Sequence, residues 1–160
     1  MTAGSSQPNG GVFVALGSNL GDRDATLRSA LASLDRVDRT RVIACSTFHD
    51  TAPVGGPPGQ GRFLNAVASL DTRLPPLALL DAMQRIERDH DRVRTERNGP
   101  RTLDLDLLTY GPLRCRTDRL TLPHPRMFER AFVLLPLAEL CDVEALRATL
   151  TAGDALTALA

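Results

Sequence analysis

The chain has 160 residues, of which 42% are hydrophobic and 24% charged, the balance of a soluble globular protein with a core of ordinary size. Nineteen basic and nineteen acidic residues cancel, so no global field draws the chain to nucleic acid or anionic lipid, and any phosphate chemistry must be local. Every basic residue is Arg, and the lack of Lys excludes a Walker A loop, the strand lysine of protein kinases and any Schiff-base mechanism, each of which needs an ammonium group.

Met1 to Gly10 has neither a basic n-region nor an apolar h-region, so it reads as a tail rather than a secretory signal, with 11–160 as one domain. Val12 to Leu16 is a compact apolar run closed by Gly17-Ser18-Asn19-Leu20-Gly21, a buried strand ending in a turn. Asp22 or Asp24 can cap a following helix, in which Leu27, Ala30, Leu31 and Leu34 recur at helical spacing up to about Val37. Arg41 to Thr51, with Val42, Ile43 and Thr47, predicts a second strand. Ala52 to Arg62 holds three Pro and four Gly in eleven positions, too many breakers for a regular element, and is expected to be an exposed functional loop. Phe63 to Thr72 predicts a third strand, able to pair antiparallel with the second across that loop.

Pro75-Pro76 opens a second helix with Leu77, Leu80, Met83 and Ile86 as its apolar stripe, ending near His90. Asp91 to Pro100 is polar, carries Arg92, Arg94 and Arg97, and is expected to be a surface loop. Leu103 to Tyr110 predicts a strand, Leu113 to Arg116 and Leu120 to Leu122 two short ones, and Met127 to Leu140 one or two short helices around Pro136. The order β-α-β-β-α-β points to an α+β fold with a ferredoxin-like βαββαβ core, its mainly antiparallel sheet covered by helices. No apolar run approaches the ~20 residues of a membrane-spanning helix. Cys45, Cys115 and Cys141 match neither a zinc pattern nor a disulfide framework, which favours a reduced, cytoplasmic protein.

The strongest local signal is Arg101-Thr102-Leu103-Asp104-Leu105-Asp106-Leu107-Leu108. On a strand, Asp104 and Asp106 project together while Leu103, Leu105 and Leu107 go to the core. Two carboxylates at adjacent same-face positions repel unless a cation lies between them, and Mg²⁺ binds through one or two such groups, completing its shell with water and phosphate oxygens. An isolated pair of this kind would read as a solvated sheet face. Arg92, Arg94 and Arg101 stand close to it in sequence, with Arg119 and Arg130 further along, and guanidinium groups bind phosphate bidentately. Gln84 and Glu87 lie three apart on one face of the second helix, where they could address a ligand. Asn65 shares a strand face with Phe63, so a flat heterocycle stacked on the ring could be hydrogen-bonded by the amide.

Six blocks in order, Gly17-Ser18-Asn19-Leu20-Gly21-Asp22, Thr51-Ala52-Pro53, Phe63-Leu64-Asn65-Ala66, Gln84-Arg85-Ile86-Glu87, Gly99-Pro100-Arg101-Thr102-Leu103-Asp104-Leu105-Asp106 and Pro123-His124-Pro125-Arg126-Met127 to Arg130-Ala131-Phe132, resemble the 6-hydroxymethyl-7,8-dihydropterin pyrophosphokinase family. The resemblance runs from about Val12 to Leu140 and implies transfer of pyrophosphate from ATP to the pterin hydroxymethyl group, releasing AMP, in folate biosynthesis. It implies Arg92, Arg101, Asp104 and Asp106 as the catalytic set, with Asp104 and Asp106 holding two Mg²⁺ ions. Gln84, Glu87, Arg92, Arg94, Arg101, Leu107, Arg119, Thr121, His124 and Arg130 match positions that bind ATP, whereas Thr51, Pro53, Val54, Phe63, Asn65 and Phe132 match the pterin pocket. Asn98 and Pro125 stand where some members carry aromatics, and the loop is one residue shorter within Thr95 to Asn98. A monomer is expected, with no nucleic-acid or membrane partner. The alternatives are another Mg²⁺-dependent phosphotransferase or nucleotidyltransferase, and a non-catalytic ferredoxin-like module presenting an RNA surface.

Overall fold

The computed structural model describes residues 11–56, 58–90 and 102–152. The expected tail, the arginine-bearing loop with Arg92, Arg94 and Arg97, and Arg101 lie outside them. The elements are β1 (Val12–Ser18), α1 (Arg23–Asp35), β2 (Thr40–Cys45), β3 (His49–Thr51), β4 (Phe63–Thr72), α2 (Pro76–Asp89), β5 (Asp104–Tyr110), β6 (Cys115–Arg116), β7 (Thr121–Leu122), a 3₁₀ turn (Met127–Glu129), α3 (Ala131–Ala138) and α4 (Val143–Thr151). The main sheet runs β2-β4-β1-β5 with β3 also on β4, while β6 and β7 form a separate hairpin. Each ladder is antiparallel, so the parallel pairs β1/β2 and β4/β5 are each split by a strand between them, as the βαββαβ order predicts.

Alternation along the strands divides the core between the two sheet faces. Val12, Val14 and Leu16 join Ala66, Ala68, Leu70, Leu105 and Leu107 under α1 and α2, which contribute Leu27, Leu34, Leu79 and Met83. Phe13, Val67 and Leu108 face the opposite way, under Val133 and Leu137 of α3 and Leu146 and Leu150 of α4. An RNA-binding sheet of this order presents its helix-free face to the ligand. Here α3 and α4 pack on that face over Phe13, Val67 and Leu108.

Several elements depart from the sequence reading. β1 continues through Gly17 and Ser18, because both backbones pair with β4 and Gly17 also pairs with β5. The turn begins later, where Gly21 takes a left-handed φ of 69° and the Asp22 carboxylate caps α1 by accepting from the Ala25 N–H at 3.0 Å. The expected strand 41–51 breaks into β2 and β3, since the Ser46 hydroxyl takes the place of a ladder carbonyl and accepts the Val67 N–H at 3.0 Å. On α2 the buried stripe is Leu79, Ala82, Met83 and Ile86; Leu77 and Leu80 lie at its half-buried edge. α3 runs through Pro136, and α4 has no counterpart in the sequence reading, although Asp142 caps it through the Ala145 N–H. No helix among the described residues is long and apolar enough to cross a membrane.

Candidate active site

The site is built on the adjacent strands β4, β1 and β5, on the face of the sheet that also carries α3. Register sets Asn65 of β4 and Asp104 of β5 on either side of Gly17, and Val67 and Asp106 on either side of Ala15. The middle strand therefore offers only a hydrogen between Asn65 and Asp104, and a methyl group between Val67 and Asp106. Two strand spacings put the Asn65 and Asp104 backbones about 10 Å apart, leaving a groove floored by β1. A Cβ on Gly17 would lie 3.1 Å from the Asn65 amide oxygen, so glycine is what lets that side chain lie across the floor.

On the β4 side, Asn65 is buried and its Nδ2 donates to Thr51 Oγ1 at 2.6 Å. Phe63 pairs with Thr51 in the ladder and stands half-buried on the same face. Pro53 is partly covered, but Val54 is 68% exposed in the loop after β3. That loop is held to the β1–α1 turn by Asn19, whose Nδ2 donates to Gln60 Oε1 at 3.2 Å and to the Gly61 carbonyl at 3.3 Å. Arg23 and Arg62 both donate to the Asp50 carboxylate, and these bonds hold its pKa below the usual carboxylate range. They fasten β3 to the start of α1 and the end of the loop.

On the β5 side, Asp104 and Asp106 are half-buried on one face, as alternation requires. His124 is drawn to them because its N–H donates to the Leu108 carbonyl at 2.8 Å. Burial first, then the positive charge of Arg130, push its pKa down to about 4, with Asp104 pulling the other way and Arg126 adding to the push. The ring is therefore neutral at pH 7. Its Nδ1 accepts the Arg126 N–H at 3.2 Å, which leaves the proton on Nε2 as a donor suited to an anionic oxygen. The Arg130 guanidinium lies over the Phe132 ring, 5.4 Å from its centroid, and so links this cationic corner to the aromatic at the start of α3.

The remaining candidates separate. Arg119 donates to Asp81 Oδ1 at 2.6 Å and to Gln84 Oε1 at 3.3 Å, joining the β6–β7 hairpin to the exposed side of α2, with Thr121 half-buried on β7. Gln84 and Glu87 do not share a surface: Gln84 is exposed, whereas Glu87 is 5% exposed and its Oε2 accepts the Leu105 N–H at 2.8 Å. Glu87 is drawn in because α2 packs over the start of β5. The Leu107 side chain lies in the core beneath α1 and α2, so any ligand contact there falls to its main chain. Gly17 and Asp81 carry parts of the site that sequence reasoning did not assign. The small residues alternating along β1 were the visible signal for the first, and nothing in sequence pairs Asp81 with Arg119.

Among the described residues no group of three or more His, Cys, Asp or Glu converges on one point, so a metal held by protein alone has no cage. Two adjacent carboxylates are nonetheless the donor set that suits Mg²⁺ when water and phosphate complete its shell.

Comparison with known proteins agrees with this arrangement. Residues 13–142 match the family model described as 7,8-dihydro-6-hydroxymethylpterin-pyrophosphokinase. The 2-amino-4-hydroxy-6-hydroxymethyldihydropteridine pyrophosphokinase of Pseudomonas aeruginosa is 50% identical over 129 residues, covering 81% of this chain and 79% of its own. The Bacillus subtilis protein of the same name is 45% identical over 130 residues, covering 81% and 77%. The mitochondrial folate synthesis bifunctional protein of Pisum sativum is 44% identical over 129 residues, 81% of this chain but 25% of the longer relative. With the matched segment spanning the strands that carry Asn65, Gly17, Asp104 and Asp106, the chain belongs to the 7,8-dihydro-6-hydroxymethylpterin-pyrophosphokinase family of enzymes.

Proposed function

We propose that this chain transfers the pyrophosphoryl group of ATP to the hydroxymethyl oxygen of 6-hydroxymethyl-7,8-dihydropterin in folate biosynthesis, giving the pterin diphosphate and AMP. The observation that carries the proposal is the placement of Asn65 and Asp104 on opposite sides of Gly17, which gives one groove an amide wall for a flat heterocycle and a carboxylate wall for a polyphosphate. Asn65, braced by Thr51, reads the hydrogen-bonding edge of the pterin, and Phe63 and Phe132 enclose its ring faces, with Pro53 and Val54 at the mouth. His124 donates Nε2–H to a phosphate oxygen, and Arg119 and Arg130 add charge-assisted bonds. Arg92, Arg94 and Arg101 complete the phosphate contacts, with Gln84, Thr121 and the main chain of Leu107 around the nucleotide, and Glu87 supports them from beneath by holding the Leu105 N–H.

Asp104 and Asp106 would hold two Mg²⁺ ions, which when bound supply electrostatic stabilisation of the charge that develops on the attacking and leaving oxygens. The hydroxymethyl oxygen forms a bond to the β-phosphorus as the bond from that phosphorus to the α–β bridging oxygen breaks. AMP leaves with the electron pair, and Asp106 receives the hydroxyl proton.

The test is AMP release from ATP and Mg²⁺ by purified protein, with and without the dihydropterin, beside the Asp104→Ala/Asp106→Ala protein. Pterin-dependent AMP that vanishes in the double variant is the expected result. Folded protein that binds ATP but forms neither AMP nor pterin diphosphate would overturn the acceptor assignment.

A further inference from the structure

Glu139 occupies the C-terminal cap of α3, where the helix dipole disfavours a carboxylate. Three contacts outside the helix offset that. Oε1 accepts the Thr47 N–H at 2.7 Å, and Oε2 accepts the Thr47 hydroxyl at 2.8 Å and contacts His49 Nε2 at 2.5 Å. The Thr47 N–H above all, then His49 and the Thr47 hydroxyl, lower the Glu139 pKa to about 2. An exposed ion pair alone contributes little, but a carboxylate gripping a backbone N–H and two side chains fixes geometry as well as charge.

The grip falls on a short strand with a single partner. β3 has three residues and one ladder, to β4, and the chain between β2 and β3 leaves the sheet at Ser46. The same short strand carries Thr51, which bonds Asn65, while the helix that ends at Glu139 begins beside Phe132. An eight-residue helix is a rod about 12 Å long, so holding its last residue to the head of β3 sets the spacing between its first turn and the Thr51–Asn65 wall. Among the described residues, the nucleotide side on β5, α2 and the β6–β7 hairpin shares none of these contacts, and of its proposed ligands Arg130 alone, at the N-cap, is attached to α3.

We infer that Glu139, through Thr47 and His49, is a positioning residue for the heterocycle half of the site, fixing the separation of α3 from β3 and thereby affinity for the pterin far more than for the nucleotide. The inference rests on the pterin reading of the groove.

Three variants test it: Glu139→Ala, Glu139→Gln and the milder Thr47→Val. Affinities are measured for 6-hydroxymethyl-7,8-dihydropterin in the presence of a non-hydrolysable ATP analogue and Mg²⁺, and for the analogue alone, with amide exchange at Thr47 reporting the clamp itself. Glu139→Ala is expected to weaken pterin binding by about tenfold, the loss that one charge-assisted hydrogen bond commands, and to unprotect the Thr47 amide. Analogue affinity should stay within about twofold. Glu139→Gln, which still accepts the Thr47 N–H, should restore most of the pterin affinity, and Thr47→Val should lose part of it. Equal loss for both ligands, or unchanged pterin affinity in a folded Glu139→Ala protein whose Thr47 amide has become unprotected, would overturn the inference. Wild-type protein that binds the analogue but no pterin would instead overturn the reading of the groove, and the inference with it.

Discussion

Gly17→Ala tests the groove floor with one methyl group. The backbone of Gly17 is ordinary strand, so alanine fits it without torsional strain and removes chain entropy from the unfolded state, worth about 0.5–1 kcal/mol to stability. The added Cβ would lie 3.1 Å from Asn65 Oδ1, so the amide has to retreat by a few tenths of an ångström. Asn65 is buried and tied to Thr51 at 2.6 Å, and retreat means turning against that bond. A side-chain torsion about 30° off its well costs about 0.5–1.5 kcal/mol, and one hydrogen bond is worth about 1 kcal/mol. In the free protein these losses exceed the alanine gain, and stability is expected to fall by about 0.5–2 kcal/mol. Bound pterin needs the amide where it was, so its affinity falls by about 1–2 kcal/mol, some five- to thirtyfold. Calorimetric titration with dihydropterin in the presence of a non-hydrolysable ATP analogue measures this, and the same methyl in an Asn65→Ala background should be nearly silent. Unchanged pterin affinity in Gly17→Ala, or a loss just as large without Asn65, would refute the reasoning.

His124 is held neutral, with a folded pKa near 4 against an ordinary 6.5, so its contribution to stability is complete above pH 6.5 and is lost as pH falls towards 4. Allowing for its partial exposure, the loss is about 2 kcal/mol; urea denaturation across that range should show it and His124→Gln should not, and NMR titration of the ring should find a midpoint near 4. Glu87→Ala leaves the Leu105 N–H without its acceptor and should lower stability by about 1–3 kcal/mol, a fall of about 3–10 °C in a calorimetric scan; an unchanged Tm would show that the buried carboxylate does not support β5. The depressed pKa of Glu139 stabilises the fold above pH 4.5 and ceases to do so as pH falls towards 2, so wild type and Glu139→Gln should converge in stability at the acid end, and parallel curves would contradict the clamp.

The β-α-β-β-α-β order, the α+β class, the facing of Asp104 with Asp106 and the antiparallel pairing of the strands on either side of a breaker-rich loop were all legible in sequence, because period-two alternation and turn residues are local properties. The end of β1 was not: Gly17 reads as a turn residue until β4 and β5 close on both sides of it and make it the floor. Glu87 resembled a surface partner of Gln84, since spacing on a helix shows which residues are neighbours but not which of two adjacent faces meets the sheet. α4 carried a local signal, a capping Asp142 followed by Val143, Leu146 and Leu150 at helical intervals, that the sequence reading left unused.

Sequence by itself determined which chemistry is available: carboxylates at alternate strand positions, arginines in place of lysines, and an amide beside an aromatic ring, each a matter of residue type and short-range periodicity. Only the tertiary structure decided what meets what. Asn65 and Asp104 flank Gly17 because antiparallel register sets partners far apart in the chain, and Glu139 meets Thr47 across 92 positions because α3 folds back over the sheet. Such contacts depend on strand order and helix packing, quantities to which no single stretch of sequence is sensitive.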